Sequence, residues 1–116
     1  MAVDKVRLQV ERRAAPGGAV LVVAGEIDAD TAGVLSDALA AAAAAAPSVV
    51  AVDFAAVTFM DSTGINTLLR AHHDMVARGT RLALAGALPA VVRVLDITGV
   101  DHVIPLYPSV DQALRS

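Results

Sequence analysis

The sequence has 116 residues, enough for one compact domain and short for two of ordinary size. Hydrophobic residues make up 56% of it but aromatic residues only 3%, so its core must be built of Val, Leu, Ile and Ala. A net charge of −3 with scattered signs offers no basic footprint to nucleic acid, and the absence of cysteine excludes disulfides, thiolate metal sites and cysteine nucleophiles.

The segment from Met1 to Arg13 mixes charge with alternating apolar residues and does not have the form of a secretory leader. Val6, Leu8 and Val10 alternate with Arg7, Gln9 and Glu11, the period of a half-buried strand. Pro16-Gly17-Gly18 signals a turn, and the apolar run Ala19 to Ala24 predicts a buried strand that closes a hairpin. Gly25-Glu26-Ile27-Asp28 leaves that strand, and Asp30 or Thr31 is expected to cap a helix through its side-chain oxygen. Val34, Leu35, Ala38 and Leu39 share a helical stripe, the alanine run extends it, and Pro47 ends it.

Val49 to Phe54 predicts a second buried strand, followed by Thr58-Phe59-Met60 and the cap residues Asp61-Ser62-Thr63-Gly64. Ile65, Leu68, Leu69, His72, Met75 and Val76 then recur at helical spacing, and Gly79 closes that helix as a left-handed C-cap. Arg81 to Ala85 predicts a strand, Pro89 opens the next helix where a missing N–H costs nothing, and Thr98-Gly99 ends it. Val103 to Leu106 is expected as a last short strand, and Ser109-Val110-Asp111-Gln112 has the form of a capping box before a closing helix. The low-polarity run Ala38 to Val52 is interrupted by Pro47 and Ser48, short of the ~20 apolar residues a membrane span needs. The protein is therefore expected to be soluble and cytoplasmic.

The order is strand, strand, helix, then strand–helix three times, with no internal repeat and no linker. Buried strands alternating with helices predict an α/β fold: a mixed, mostly parallel sheet of about five strands with an N-terminal hairpin. Right-handed crossovers place the helices mainly on one face. A single domain over residues 1–116 is expected.

Few residues suggest chemistry. Ser62 stands at a strand-to-helix turn, as a hydrolase nucleophile does, but its flanks are Asp61 and Thr63 and the Gly-x-Ser-x-Gly arrangement is absent. No glycine-rich run ends in Gly-Lys-Ser or Gly-Lys-Thr. His72 and His73 are adjacent, so on a helix they diverge and share a metal poorly. His72 falls on the apolar stripe as a core or boundary histidine, and His73 and His102 read as surface residues. No catalytic residue, metal site or cofactor is assigned. Asp61-Ser62-Thr63-Gly64, taken alone, is what a helix N-terminus prefers and can be read as capping and nothing more. A hydroxyl there is also exposed, and the helix N-terminus can accommodate an added phosphate.

Beyond these general patterns, Val52-Asp53-Phe54-Ala55-Ala56-Val57-Thr58-Phe59-Met60-Asp61-Ser62-Thr63-Gly64-Ile65 closely resembles the signature of STAS domains, specifically bacterial anti-sigma factor antagonists. That signature has an apolar strand, an acidic residue, a spacer, then Phe and Met or Ile before Asp-Ser-Ser-Gly-Leu. Gly25-Glu26-Ile27-Asp28 with Thr31 is similar to the family's Gly-Glu-Leu-Asp segment, and Pro89 to Gly99 to one of its later helices. The resemblance spans about Val6 to Leu114.

The resemblance implies that Ser62 is the serine phosphorylated by a cognate anti-sigma factor of the serine-kinase type. The unphosphorylated protein would bind that factor and free the sigma factor, and a PP2C-type phosphatase would restore it. It would be a substrate in that cycle and not an enzyme. The implied partner-binding residues are Asp28, Asp61, Ser62, Thr63, Gly64 and Asn66. Thr63 replaces the commonest second serine, and Asn66 stands where the family often has a small residue. An alternative implication is a STAS module that binds one partner constitutively, in a transport complex or a signalling scaffold. From a different class, a small hydrolase or nucleotide-binding enzyme using Ser62 would need a base that the sequence does not pair with it.

Overall fold

The computed structural model describes residues 7–116, so the Val6 position of the first predicted strand lies outside the described residues. The chain opens with a hairpin, β1 (Leu8–Ala15) and β2 (Gly18–Ile27), followed by α1 (Ala32–Ala44) and β3 (Val49–Met60). Then come α2 (Ser62–Ala77), β4 (Arg81–Ala85), α3 (Pro89–Thr98), a 3-10 turn (Val100–His102), β5 (Leu106–Tyr107) and α4 (Val110–Arg115). The strands form one five-stranded sheet in the order β1-β2-β3-β4-β5. The β1–β2 pair is antiparallel and every later pair is parallel. The expected fold class is therefore observed.

Alternation of side chains along the strands assigns the two faces. Leu21 and Val23 of β2, Val50, Val52 and Phe54 of β3, and Leu82 and Leu84 of β4 point to one side. There they join Leu35 and Leu39 of α1, Leu68 and Met75 of α2, and Leu95 of α3 in a continuous core. The opposite face carries Ala51, Ala83 and Ala85, small enough for the short α4 to lie close through Ala113. Helices α1 to α3 thus share one face and α4 alone covers part of the other. Among the described residues no helix is long and apolar enough to cross a membrane.

Local detail departs from the sequence reading at several places. The strand predicted over Val49–Phe54 continues to Met60, and β2 runs on to Ile27 beside it. Two register shifts, between Val22 and Ala24 and between Gly25 and Glu26, break the simple alternation that would have revealed this length. The strand expected over Val103–Leu106 is displaced. Val100–His102 forms a 3-10 turn, and β5 is only Leu106–Tyr107, because Pro105 has no N–H to give a ladder.

Thr31 stands at the N-cap of α1 but its side chain makes no capping bond there. Its hydroxyl turns back to donate to the Glu26 carbonyl at 2.8 Å. Val34 and Val76, placed on the apolar stripes of α1 and α2, are exposed. Gly79 adopts the expected left-handed conformation behind α2, and Gly99, which ends α3, adopts it as well. Ser109 caps α4 by accepting from the Gln112 amide at 3.2 Å.

Candidate functional site

Beyond Asp53, β3 has no further partner in β4, so β2 and β3 run on past β4 and β5, with β1 beside β2 as far as Gly25. Glu26 pairs with Phe59 and Ile27 with Met60 at the end of this projection. The Asp61 amide then donates to the Ile27 carbonyl at 3.1 Å, carrying the ladder one step further. Asp61 is the N-cap of α2: its carboxylate accepts from the Thr63 amide at 2.9 Å, and its carbonyl accepts from the Ile65 amide at 3.2 Å. The turn that starts α2 is thereby tied to both strands.

Ser62 is the first residue of α2 and is exposed. Asn66 lies one helical turn later and is exposed as well, so the spacing puts it on the same face as Ser62. Thr63 is half-buried, and its carbonyl accepts from the Thr67 hydroxyl at 2.9 Å. Gly64 is buried. A Cβ at Gly64 would lie 2.5 Å from Met60 Cγ and 2.8 Å from Ile27 Cγ2, so only glycine lets the helix start this close to the strand ends. Gly64 therefore sets the seat of the turn and presents no side chain to a partner.

Asp28 begins the neighbouring loop. Its Oδ1 accepts from the amides of Asp30 at 3.0 Å and Thr31 at 3.2 Å, and its own amide donates to the Thr31 hydroxyl at 2.9 Å. The predicted cap at Asp30 or Thr31 is thus supplied by Asp28, two to three residues upstream, through an Asx turn. Asp28 also pairs with Arg7, whose guanidinium reaches Glu26 at 2.8 Å and Asp30 at 3.7 Å as well. The hydrogen bond from Arg7 holds the Asp28 carboxyl below the usual carboxylate range. Burial opposes that shift, and the Asp30 and Thr31 amides reinforce it. Only 19% of the Asp28 side chain is exposed, so this carboxylate mainly organises the loop, whereas Glu26 and Asp30 face solvent.

The backbone supports the same clamp. Gly25 has φ +122°, and a Cβ there would run into the Arg7 carbonyl, which accepts from the Glu26 amide at 2.8 Å. Sequence reading assigned no role to Arg7 or to Phe59. Arg7 carried no signal, because its acidic partners lie 19 and 21 residues away in sequence. Phe59 lay within the signature and is 49% exposed, an unusual position for one of the two phenylalanines in the chain. The projecting end of the sheet thus combines an exposed aromatic ring, an exposed hydroxyl and solvent-facing carboxylates. That surface can dock a partner. Among the described residues it brings no base to Ser62.

The histidines stay apart from it in role. His72 is half-buried with its Nδ1 unpartnered, and His73 and His102 are exposed. Among the described residues no group of His, Asp and Glu is placed to hold a metal ion.

Comparison with known proteins agrees with this fold. The family model described as "STAS domain" matches residues 8–113. The chain is 34% identical over 86 residues to the anti-sigma-B factor antagonist of Listeria monocytogenes, covering 74% of this chain and 75% of that protein. It is 29% identical over 98 residues to the anti-sigma-F factor antagonist RsfB of Mycobacterium tuberculosis, covering 84% and 80%. Its fold superposes with a TM-score of 0.85 on the crystal structure of an anti-sigma factor antagonist from Mycobacterium paratuberculosis, at 31% identity over 93% of this chain and 92% of that one. The chain belongs to the STAS domain family.

Proposed function

We propose that this protein is an anti-sigma factor antagonist switched by phosphorylation of Ser62. In its unphosphorylated form it binds an anti-sigma factor of the serine-kinase type and releases the sigma factor. The kinase inactivates it by modifying Ser62, and a PP2C-type phosphatase reverses the modification. It acts by binding and not by catalysis, as a single STAS domain in the cytoplasm. Asp61, Ser62, Thr63 and Asn66 form the recognised turn, Gly64 seats it, and the Asp28 loop flanks it.

The observation that carries this reading is the exposed Ser62 hydroxyl on a turn that is fixed from both sides. A kinase can reach the hydroxyl, while the frame behind it is held by backbone bonds that a phosphate leaves intact. Phosphorylation adds about −1.5 to −2 charges beside Asp61. The helix N-terminus tolerates that charge within the protein. A partner packed on the same turn meets repulsion from any acidic group and must strip water from a phosphate. The switch therefore acts on the interface and leaves the fold alone.

The test is incubation with the serine-kinase anti-sigma factor of the same organism and ATP, followed by mass mapping. Modification at Ser62 that disappears in Ser62→Ala is the expected result. An active kinase that leaves the wild-type protein unmodified contradicts the switch. A partner affinity that ignores Ser62→Asp would instead favour a constitutive binding module.

A further inference from the structure

The two edges of the sheet differ. At one, β5 is two residues long, whereas at the other β1 presents eight. The Arg7 carbonyl accepts from the Glu26 amide, so in the antiparallel ladder the odd-numbered residues of β1 bond to β2. The N–H and C=O groups of Leu8, Val10, Arg12 and Ala14 therefore point away from the sheet. Among the described residues no main-chain group meets them. An open edge of this length is a template for another strand.

Above that edge lies a bare helix face. Helix α1 packs on β1 and β2, and Arg12 of β1 donates to the Ala41 carbonyl at 3.2 Å, which marks the side of α1 nearest the edge. Helical spacing puts Val34, Ala38 and Ala45 on the same side as Ala41, a quarter turn from the core residues Leu35, Leu39 and Ala42. Val34 is 47% exposed there, and Ala41 and Ala45 are exposed too. If β1 pairs with β1 of a second copy, the two α1 axes fall two strand spacings apart, ~10 Å. Helices with small residues between them pack at about that distance. One two-fold operation therefore satisfies both layers.

Charge selects the register. An axis through Glu11 or Arg12 sets that residue against its own copy, and like charges placed opposite are destabilising. An axis through Val10 joins two half-buried valines and sets Gln9 against Glu11 of the second copy. It also brings Arg7 opposite Arg13 of the second copy. Both are already engaged by carboxylates, Arg7 by Glu26 and Arg13 by Glu11, each at 2.8 Å.

We propose that the chain forms a two-fold symmetric dimer in which β1 pairs antiparallel with β1 of a second copy about Val10. The two sheets become one, and the α1 helices meet above the join, where Val34 loses its water against the alanines of the other helix. The surface uses no residue of the Ser62 turn and does not rest on the function proposed for it.

The test is sedimentation equilibrium of the full chain from micromolar to millimolar concentration, with cysteine cross-linking to read the register. A concentration-dependent dimer is expected. Ala41→Glu puts a charge into the helix seam and should weaken the dimer at least about tenfold. Ala40→Glu, equally exposed but on the side of α1 that faces α2, should leave it unchanged. The chain has no native cysteine. Under mild oxidation, a mixture of Gln9→Cys and Glu11→Cys should therefore give a linked heterodimer, because these positions form a close, non-hydrogen-bonded pair about Val10. Neither variant should link to itself to a comparable extent. The proposal is overturned by a monomer at millimolar concentration, by a dimer that Ala41→Glu leaves intact, or by Glu11→Cys linking to itself in preference to Gln9→Cys.

Discussion

The Asp61 amide donates to the Ile27 carbonyl at 3.1 Å, and this one bond joins the end of β2 to the cap of α2. Through it, the Asp28 loop and the Ser62 turn become neighbours on a single rigid edge. The partners of a docking surface need to be held before binding, because ordering them afterwards costs affinity. Here the holding is done by backbone bonds, the Asp61 cap and the close seat of Gly64.

That seat can be tested against an ordinary helical glycine. Gly64→Ala puts a methyl group 2.5 Å from Met60 Cγ, and overpacking of this kind costs ~1–3 kcal/mol, part of it offset by the better helix propensity of alanine. Gly33→Ala, in α1 with nothing within 4 Å of the added carbon, should instead stabilise by up to ~1 kcal/mol. Urea denaturation of both variants should give opposite signs.

The cap itself should contribute independently. Asp61→Ala removes the acceptor of the Thr63 amide, and loss of such a cap costs ~1 kcal/mol. Asp61→Asn retains an oxygen acceptor and should recover most of that stability in the same urea measurement. Equal losses in the two variants would show that the charge, and not the cap bond, matters.

The Arg7–Asp28 clamp should appear as an acid-sensitive part of the stability. Asp28 is held below its ordinary value of 3.8, chiefly by Arg7. A carboxyl with a depressed folded-state pKa binds its proton more readily when unfolded, so its contribution is fully present well above 3.8. It is lost as the pH falls through the lower, folded-state value. The stability difference between wild type and Asp28→Asn should therefore hold well above pH 3.8 and shrink as the pH falls through 3.8 and below. Arg7→Gln should flatten that dependence. A difference that stayed constant with pH would contradict the clamp.

Phe59 should separate binding from folding. Its ring is half exposed, so Phe59→Ala is expected to change stability by less than ~1 kcal/mol, whereas Phe54→Ala, fully buried in the core, should cost ~3–5 kcal/mol. If Phe59 anchors the partner, calorimetric titration should show its alanine variant binding at least about tenfold more weakly, as interface aromatics do.

The order of elements was legible because it depends on local signals. Apolar runs marked β2, β3 and β4, Pro89 marked the start of α3, and Gly79 and Gly99 marked helix ends. What escaped depends on distant partners or on broken periods. The register shifts along β2 hid the extra length of β3, and Ala55 and Ala56 supplied no apolar signal where the strand continued. Val103 and Ile104 looked like a strand from composition, but Pro105 limited the strand to Leu106 and Tyr107. At the site, Asp61 and Ser62 were readable as cap and exposed hydroxyl. Gly64's contact with Ile27, and Arg7's grip on the Asp28 loop, exist only after the chain has folded.

Whether Ser62 is the switch is decided by comparing unmodified protein with protein fully phosphorylated at Ser62. Affinity for the kinase-type anti-sigma factor and urea stability should be measured on the same samples. A Ser62 switch predicts at least a ~100-fold loss of affinity, equivalent to ~3 kcal/mol, with stability changed by less than ~1 kcal/mol. Undiminished affinity, or a loss of affinity matched by unfolding, would contradict it.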